Sequence, residues 1–158
     1  MCDPLLPPDI SDNPEIKWLG QAREFEKLFK ENVHIVSFGA SLPEPTATAL
    51  LGGFVRAPGR MRRISLTRAP LHQSHVNQLY SVLTSKQSAL TDLDLTYSYV
   101  EDKGAARLAK ALHTNRSLTR LCLAHNGVAG MGGAAVAEAL CINPTSEKNP
   151  RALERLSL

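Results

Sequence analysis

The sequence predicts an α/β solenoid in which short parallel strands alternate with helices. The first observation is a recurring pattern, apolar-x-x-apolar-x-apolar, whose copies begin at residues 33, 61, 90, 118 and 153. The second is a helix-like spacing of apolar residues, three and four apart, after each of the first four copies. The copies begin 28, 29, 28 and 35 residues apart, and a nearly fixed period of this size is the sequence signature of a solenoid.

The segment before the first repeat is predicted to form an arm and a cap. Residues 1–12 contain several prolines and are predicted to be a flexible arm. Residues 13–32 are predicted to form an N-terminal capping helix, because Trp18, Phe25 and Phe29 fall on one helical stripe opposite the charges. A first repeat exposes an apolar end that such a helix would cover. The alternative is an amphipathic helix that binds a partner.

Each copy of the short pattern is predicted to be a strand, because alternate side chains of a strand face the same side. Every strand follows a helical return of the same sense, so the strands should pair in parallel. The apolar positions that define the strands are Val33, Val36 and Phe38, Met61, Ile64 and Leu66, Leu90, Leu93 and Leu95, Leu118, Leu121 and Leu123, and Leu153, Leu156 and Leu158.

The segments between the strands are predicted to be helices. In the third repeat, Ala105, Leu108 and Leu112 form one stripe at helical spacing. Moving forward by 28 residues maps Leu108 onto Val136 and Leu112 onto Leu140. The same helix therefore recurs in the next repeat.

The repeat domain is assigned to residues 33–158, with four to five repeats. The longer last interval coincides with a loop insertion of seven residues before the final strand. The sequence ends at Leu158, the last leucine of a strand pattern, with no helix after it. We therefore expect a truncated domain whose uncapped C-terminal edge allows self-association.

The segment LTRLCLAHNGV, followed by a glycine and AAVAEAL, resembles the ribonuclease-inhibitor-type leucine-rich repeat. The matching residues are Leu118, Leu121, Leu123, Asn126, Val128, Gly132, Val136 and Leu140. Ser98 stands where this family prefers asparagine or cysteine, and Ser41 and Ala69 depart at the same position. The resemblance implies a horseshoe with parallel strands on the concave face and helices on the convex face. It says almost nothing about the partner, because these solenoids bind many unrelated proteins.

Composition limits the class of protein. The chain has 158 residues, of which 43% are hydrophobic and 21% charged, so a single globular domain is expected. No run approaches the roughly 20 apolar residues of a membrane helix, and no secretory signal is evident. We therefore expect a cytoplasmic protein that does not bind membranes. The net charge of +3, with only 5% aromatic residues, argues against nucleic-acid binding.

No motif indicates a catalytic residue, a cofactor site or a metal site. The three cysteines form no CxxC pair, and His72 and His75 have no further ligand nearby in the sequence. The glycines after Leu123 do not give the spacing of a phosphate-binding loop. Cys122 lies close in sequence to His125, but no third group is available to orient a base.

The candidate partner-binding residues lie on the strands and just beyond them. Between the apolar positions, the strands carry Arg63, Asp92, Asp94 and Arg120; the loops that follow carry Arg68, Tyr97 and His125. An alternation of basic and acidic strands with a tyrosine nearby is suited to a charged protein surface. The alternative is that the charges satisfy one another across the strands. Both interpretations stay open because they do not exclude each other.

The sequence therefore favours a non-catalytic scaffold that binds another protein on the concave face. The alternative is a GTPase-activating protein similar to the Ran GTPase-activating leucine-rich repeat proteins, with Arg68 contacting the nucleotide site. The long acidic tail of that family is missing from this sequence. A turnover assay on a small GTPase, with and without Arg68→Ala, separates the two hypotheses.

Overall fold

In the computed structural model, the described residues are 35–38, 42–59, 61–142 and 155–158. The predicted arm (1–12) and capping helix (13–32) lie outside them. Within the described residues, strands and helices alternate in the order β1 (Ile35–Phe38), α1 (Glu44–Arg56), β2 (Arg63–Leu66), α2 (Gln73–Thr84), β3 (Asp92–Asp94), α3 (Glu101–Leu112), β4 (Arg120–Cys122), α4 (Gly130–Ile142) and β5 (Arg155–Ser157).

The strands form one parallel sheet whose order follows the order of the chain, β1 to β5. The predicted α/β alternation with parallel strands is confirmed. Each strand begins two residues after the first apolar residue of its pattern. Met61, Leu90 and Leu118 are buried in the core but precede the hydrogen-bonded ladder.

The core lies between the sheet and the helices. The side chains of Ile64, Leu93 and Leu121, at the centre of three adjacent strands, are at most 1% exposed. They belong to the same buried cluster as Leu79 of α2 and Leu108 of α3. Helices that follow one another in the chain, from α1 to α4, contact each other. Alternate side chains of a strand point to opposite sides. The strand residues directly before and after Ile64, Leu93 and Leu121 therefore face away from the helices.

Close packing of α3 on α4 depends on a glycine. Oδ1 of Asp102 accepts hydrogen bonds from the backbone N–H groups of Ala129 (2.7 Å) and Gly132 (3.1 Å). These N–H groups belong to the first turn of α4, where no partner within the helix exists. A Cβ atom on Gly132 would lie 2.8 Å from the Cα atom of Asp102, closer than any real contact. Asp102 therefore caps the next helix, and Gly132 makes room for it.

The start of α2 is held by a buried histidine. His75 is fully buried, and its Nδ1 accepts the backbone N–H of His72 at 3.0 Å. Its Nε2 lies 2.8 Å from Oγ1 of Thr48, which donates in turn to the carbonyl oxygen of Glu44. Nε2 therefore carries the proton, and His75 is a neutral link between α1 and α2. No group of three or more metal-ligating side chains occurs in the described part of the chain.

The free energy of unfolding is expected to fall as the pH drops below about 6.5. Burial, followed by the charge of His72, lowers the pKa of His75 from its ordinary value of 6.5, while Glu44 opposes the shift. As the pH falls, His75 takes up a proton in the unfolded chain before it does so in the folded chain. The contribution of His75 to stability is therefore complete above pH 6.5 and is lost as the pH falls from 6.5 to the lowered pKa. Urea unfolding at several pH values gives the free energy of unfolding as a function of pH. This free energy should change less with pH in His75→Gln than in His72→Gln. Equal changes with pH in the two variants would exclude His75 as the titrating group.

Candidate functional site

Two rows of side chains cross the side of the sheet that faces away from the helices. The charge row contains the first residue of each strand from β2 to β5, namely Arg63, Asp92, Arg120 and Arg155. The second row contains Ser65, Asp94, Cys122 and Ser157. The backbone hydrogen bonds of the sheet fix the register, so these neighbours lie about 4.8 Å apart from strand to strand.

Asp92 links two arginines of the charge row. Its Oδ2 lies 3.4 Å from Nε of Arg63, and its Oδ1 lies 3.8 Å from Nε of Arg120. The charges therefore pair across the strands, as one of the two interpretations expected. The pairing does not hide the arginines: their side chains are 56% and 48% exposed, against 15% for Asp92. The row thus presents mainly positive charge to solvent.

Asp94 serves the turn after β3. Its Oδ1 accepts hydrogen bonds from the backbone N–H of Thr96 (3.0 Å) and from Oγ1 of Thr96 (2.6 Å). The Thr96 hydroxyl uses its only proton in the hydrogen bond to Asp94. In the 3.1 Å contact between Sγ of Cys122 and Oγ1 of Thr96, the thiol is therefore the donor. The Thr96 hydroxyl thus joins Asp94 to Cys122 on the neighbouring strand.

A third row follows the strands and is called the loop row. It contains Arg68, Tyr97 and His125, each three residues beyond the second row. The Tyr97 and His125 rings are stacked, with centroids 4.2 Å apart and planes 5° from parallel. Cζ of Arg68 lies 5.7 Å from the centroid of the Tyr97 ring. Because the three residues follow consecutive strands, Tyr97 lies between the other two.

The backbone places the loop row at equivalent positions. Arg68, Tyr97 and His125 have φ values of 58°, 57° and 58°, in the left-handed region that non-glycine residues seldom occupy. The N–H of Arg68 donates to the carbonyl oxygen of Thr96 at 2.9 Å, and that of Tyr97 to Ala124 at 3.0 Å. These bonds extend the strand-to-strand pairing into the loops, so the three side chains are held in register.

Asn126 secures the loop that carries Tyr97. Its side-chain Oδ1 accepts hydrogen bonds from the N–H groups of Ser98 (2.8 Å) and Val100 (3.1 Å). Its Nδ2 donates to the carbonyl oxygens of Leu95 (2.7 Å) and Ala124 (3.2 Å). The residue is only 3% exposed, so these bonds replace water that cannot reach the backbone.

Ser98 takes the equivalent place one repeat earlier. It is fully buried, and its Oγ donates to the carbonyl oxygen of Leu66 at 2.6 Å. A serine hydroxyl reaches one neighbouring strand here, whereas the longer amide of Asn126 also accepts from two N–H groups. Serine is therefore accommodated at this position of the repeat with fewer hydrogen bonds than asparagine.

The structure brings six of the seven candidate residues into two exposed rows and turns Asp94 toward its own loop. Arg155 was not among the candidates, although its repeat position opposite Arg120 could have identified it. The stacking of Tyr97 on His125 was also missed. Their separation of 28 residues, one repeat, is the signal that could have found it.

The described residues include no helix with the length and apolar character needed to cross a membrane. The arginine on which the GTPase-activating hypothesis depends, Arg68, is exposed and packs toward Tyr97. No known family model matches the chain, and no curated protein matches it in sequence.

Proposed function

We propose that residues 33–158 form a ribonuclease-inhibitor-type leucine-rich repeat horseshoe that acts as a non-catalytic scaffold for another protein. The nearly constant spacing of strand patterns supports this fold, as does the match between strand order and chain order. The buried asparagine and serine that bond to neighbouring loops, Asn126 and Ser98, are further support. In this arrangement the charge row and the loop row lie on the concave face.

The observation that carries the function is the combination of exposure and rigidity in these rows. Arg63 and Arg120 each leave about half of the side chain in solvent, and both lie within ion-pair distance of Asp92. Tyr97 is 45% exposed and stacked on His125. Side chains that are already ordered lose little conformational entropy when a partner binds. A rigid polar surface of this kind is suited to recognising another protein.

Charge reversal on the charge row is expected to weaken binding of the partner at least about tenfold, or about 1.4 kcal/mol. The tests are Arg63→Glu and Arg120→Glu, because each replaces an exposed positive charge with a negative one as well as losing a contact. The matched control is Lys110→Glu, an exposed residue of α3 with the same change in charge. Proteins captured from a native lysate would be identified by mass spectrometry, and their affinities would be measured with the purified chain.

A partner that tolerates both arginine changes as well as it tolerates Lys110→Glu would place the binding site away from the sheet. Thermal unfolding of each variant is the necessary check. The arginine changes also break exposed pairs with Asp92, which are worth about 0.2–1 kcal/mol. A larger loss of stability would point to misfolding rather than to lost recognition.

A further inference from the structure

We propose that the partner binds through an acidic peptide segment whose carboxylates contact the arginines of the charge row and Arg68 of the loop row. This inference rests on the proposed function and adds the chemistry of the partner. It follows from three features of the surface. These are its excess of positive charge, the terminal nitrogens of the arginines that pair with Asp92 through Nε, and the groups that lie against the two faces of the Tyr97 ring.

The exposed charge of the surface is unbalanced. Among the described residues, the charge row contains three arginines and one carboxylate, and that carboxylate is 15% exposed. Asp94 in the second row adds one more negative charge, so with Arg68 the surface carries four arginines and two carboxylates. Arg155 lies opposite Arg120 in the register, so two positive charges are neighbours without an acid between them. A binding partner that supplies carboxylates would relieve this repulsion.

The arginines have donors left for such a partner. Both contacts with Asp92 are made through Nε, of Arg63 on one side and of Arg120 on the other. A guanidinium group carries five N–H donors, and four of them are on the two terminal nitrogens. The terminal nitrogens of Arg63 and Arg120 take no part in these two contacts. A carboxylate can therefore bind each arginine from the solvent side while the pair with Asp92 persists.

The loop row favours a peptide over a single-stranded nucleic acid. Proteins that bind single strands provide aromatic rings on which successive bases stack. Here one face of the Tyr97 ring is covered by His125, and Arg68 lies on the other side. Tyr99 is 71% exposed, but it is a single ring outside the row. The surface thus offers cations without a free series of rings.

The spacing of the rows sets the length of the segment. Arg63 and Arg120 are two strands apart, or about 10 Å, and the loop row follows five residues later in the chain, beyond the ends of the strands. Successive residues of an extended peptide advance about 3.3 Å. About three residues of an extended peptide cover the distance from Arg63 to Arg120, so a peptide with glutamate at every second position brings a carboxylate near each arginine.

The test uses a fluorescein-labelled peptide of about twelve residues in which glutamate alternates with serine, a length that spans both rows. Fluorescence anisotropy with the full chain should show saturable binding that weakens as salt is raised. A peptide with glutamine in place of glutamate is the first control. A uridine oligonucleotide of equal charge is the second. We expect the acidic peptide to bind more tightly than either.

The double variant Arg63→Gln/Arg120→Gln should weaken binding of the acidic peptide at least about tenfold. The matched control, Lys103→Gln/Lys110→Gln on α3, removes the same charge from exposed residues and should change the affinity less than about twofold. Arg155→Gln is an independent variant, because it removes an exposed arginine without breaking a pair with Asp92. It should weaken binding in the same direction.

Tighter binding of the oligonucleotide, or equal losses in the two double variants, would overturn the inference. So would a surface occupied by a second copy of the chain, which light scattering at the working concentration would reveal. If the acidic peptide fails to bind while the captured partner still depends on Arg63, the acidic chemistry is wrong and the scaffold function stands. If the captured partner is indifferent to Arg63 and Arg120, the proposed function itself fails.

Discussion

Replacing Asn126 with alanine is expected to lower the free energy of unfolding by about 3 kcal/mol. The change leaves the buried N–H groups of Ser98 and Val100 without an acceptor. It also removes the donor to the carbonyl oxygen of Leu95. Each buried polar group left unsatisfied costs about 1–3 kcal/mol, and the small cavity left by the side chain adds to this. Urea unfolding followed by circular dichroism measures the loss.

The matched control is Asn77→Ala, at an exposed position of α2. Alanine is the better helix former, so this variant should be as stable as the original chain or slightly more stable. A loss below about 1 kcal/mol in Asn126→Ala would mean that water replaces the amide at the loop. The stacking of Tyr97 on His125 would then have to be held by the remaining backbone bonds.

Replacing Gly132 with alanine is expected to destabilise the chain by about 2–3 kcal/mol, because the new methyl group overpacks the contact between α3 and α4. Its Cβ would lie 2.5 Å from Oδ1 of Asp102 and 2.8 Å from its Cα atom. The second contact is with backbone, so the helices must move apart. That movement also weakens the hydrogen bonds through which Asp102 caps α4.

Gly133→Ala is the matched control, one residue farther along the same helix. A Cβ atom there would have no neighbour within 4 Å. Alanine in a helix is about 0.8–1 kcal/mol more favourable than glycine, so this variant should gain stability. Thermal unfolding of the two variants should therefore give shifts of opposite sign. A gain of stability in both variants would show that backbone freedom, and not the contact with Asp102, decides the effect.

The sequence predicted the sheet well because two periodicities repeat together. Strand patterns alone are short and ambiguous, but their recurrence at 28 or 29 residues fixes their number and parallel sense. Strand starts were placed two residues early. Met61, Leu90 and Leu118 are as apolar and as buried as true strand residues, and only the hydrogen bonds distinguish them.

The candidate site was partly predictable for the same reason. Repeat register alone brings Arg63, Asp92 and Arg120 into one row, and the structure places them there. The role of Asp94 was not predictable, because it depends on how the turn presents the Thr96 hydroxyl. The bridge from His75 to the preceding helix depends on a contact between residues 27 positions apart, which local spacing does not encode.

The left-handed backbone conformation of the loop row lowers stability at the residues that are proposed to recognise the partner. An L-residue in this region costs roughly 1–2 kcal/mol, whereas glycine occupies it freely. Arg68, Tyr97 and His125 all adopt it. A screen that rewards only heat resistance would therefore enrich glycine at these three equivalent positions and erase the row in the process. The recognition proposed for this row would therefore be kept at a cost in stability that recurs in each of three successive loops.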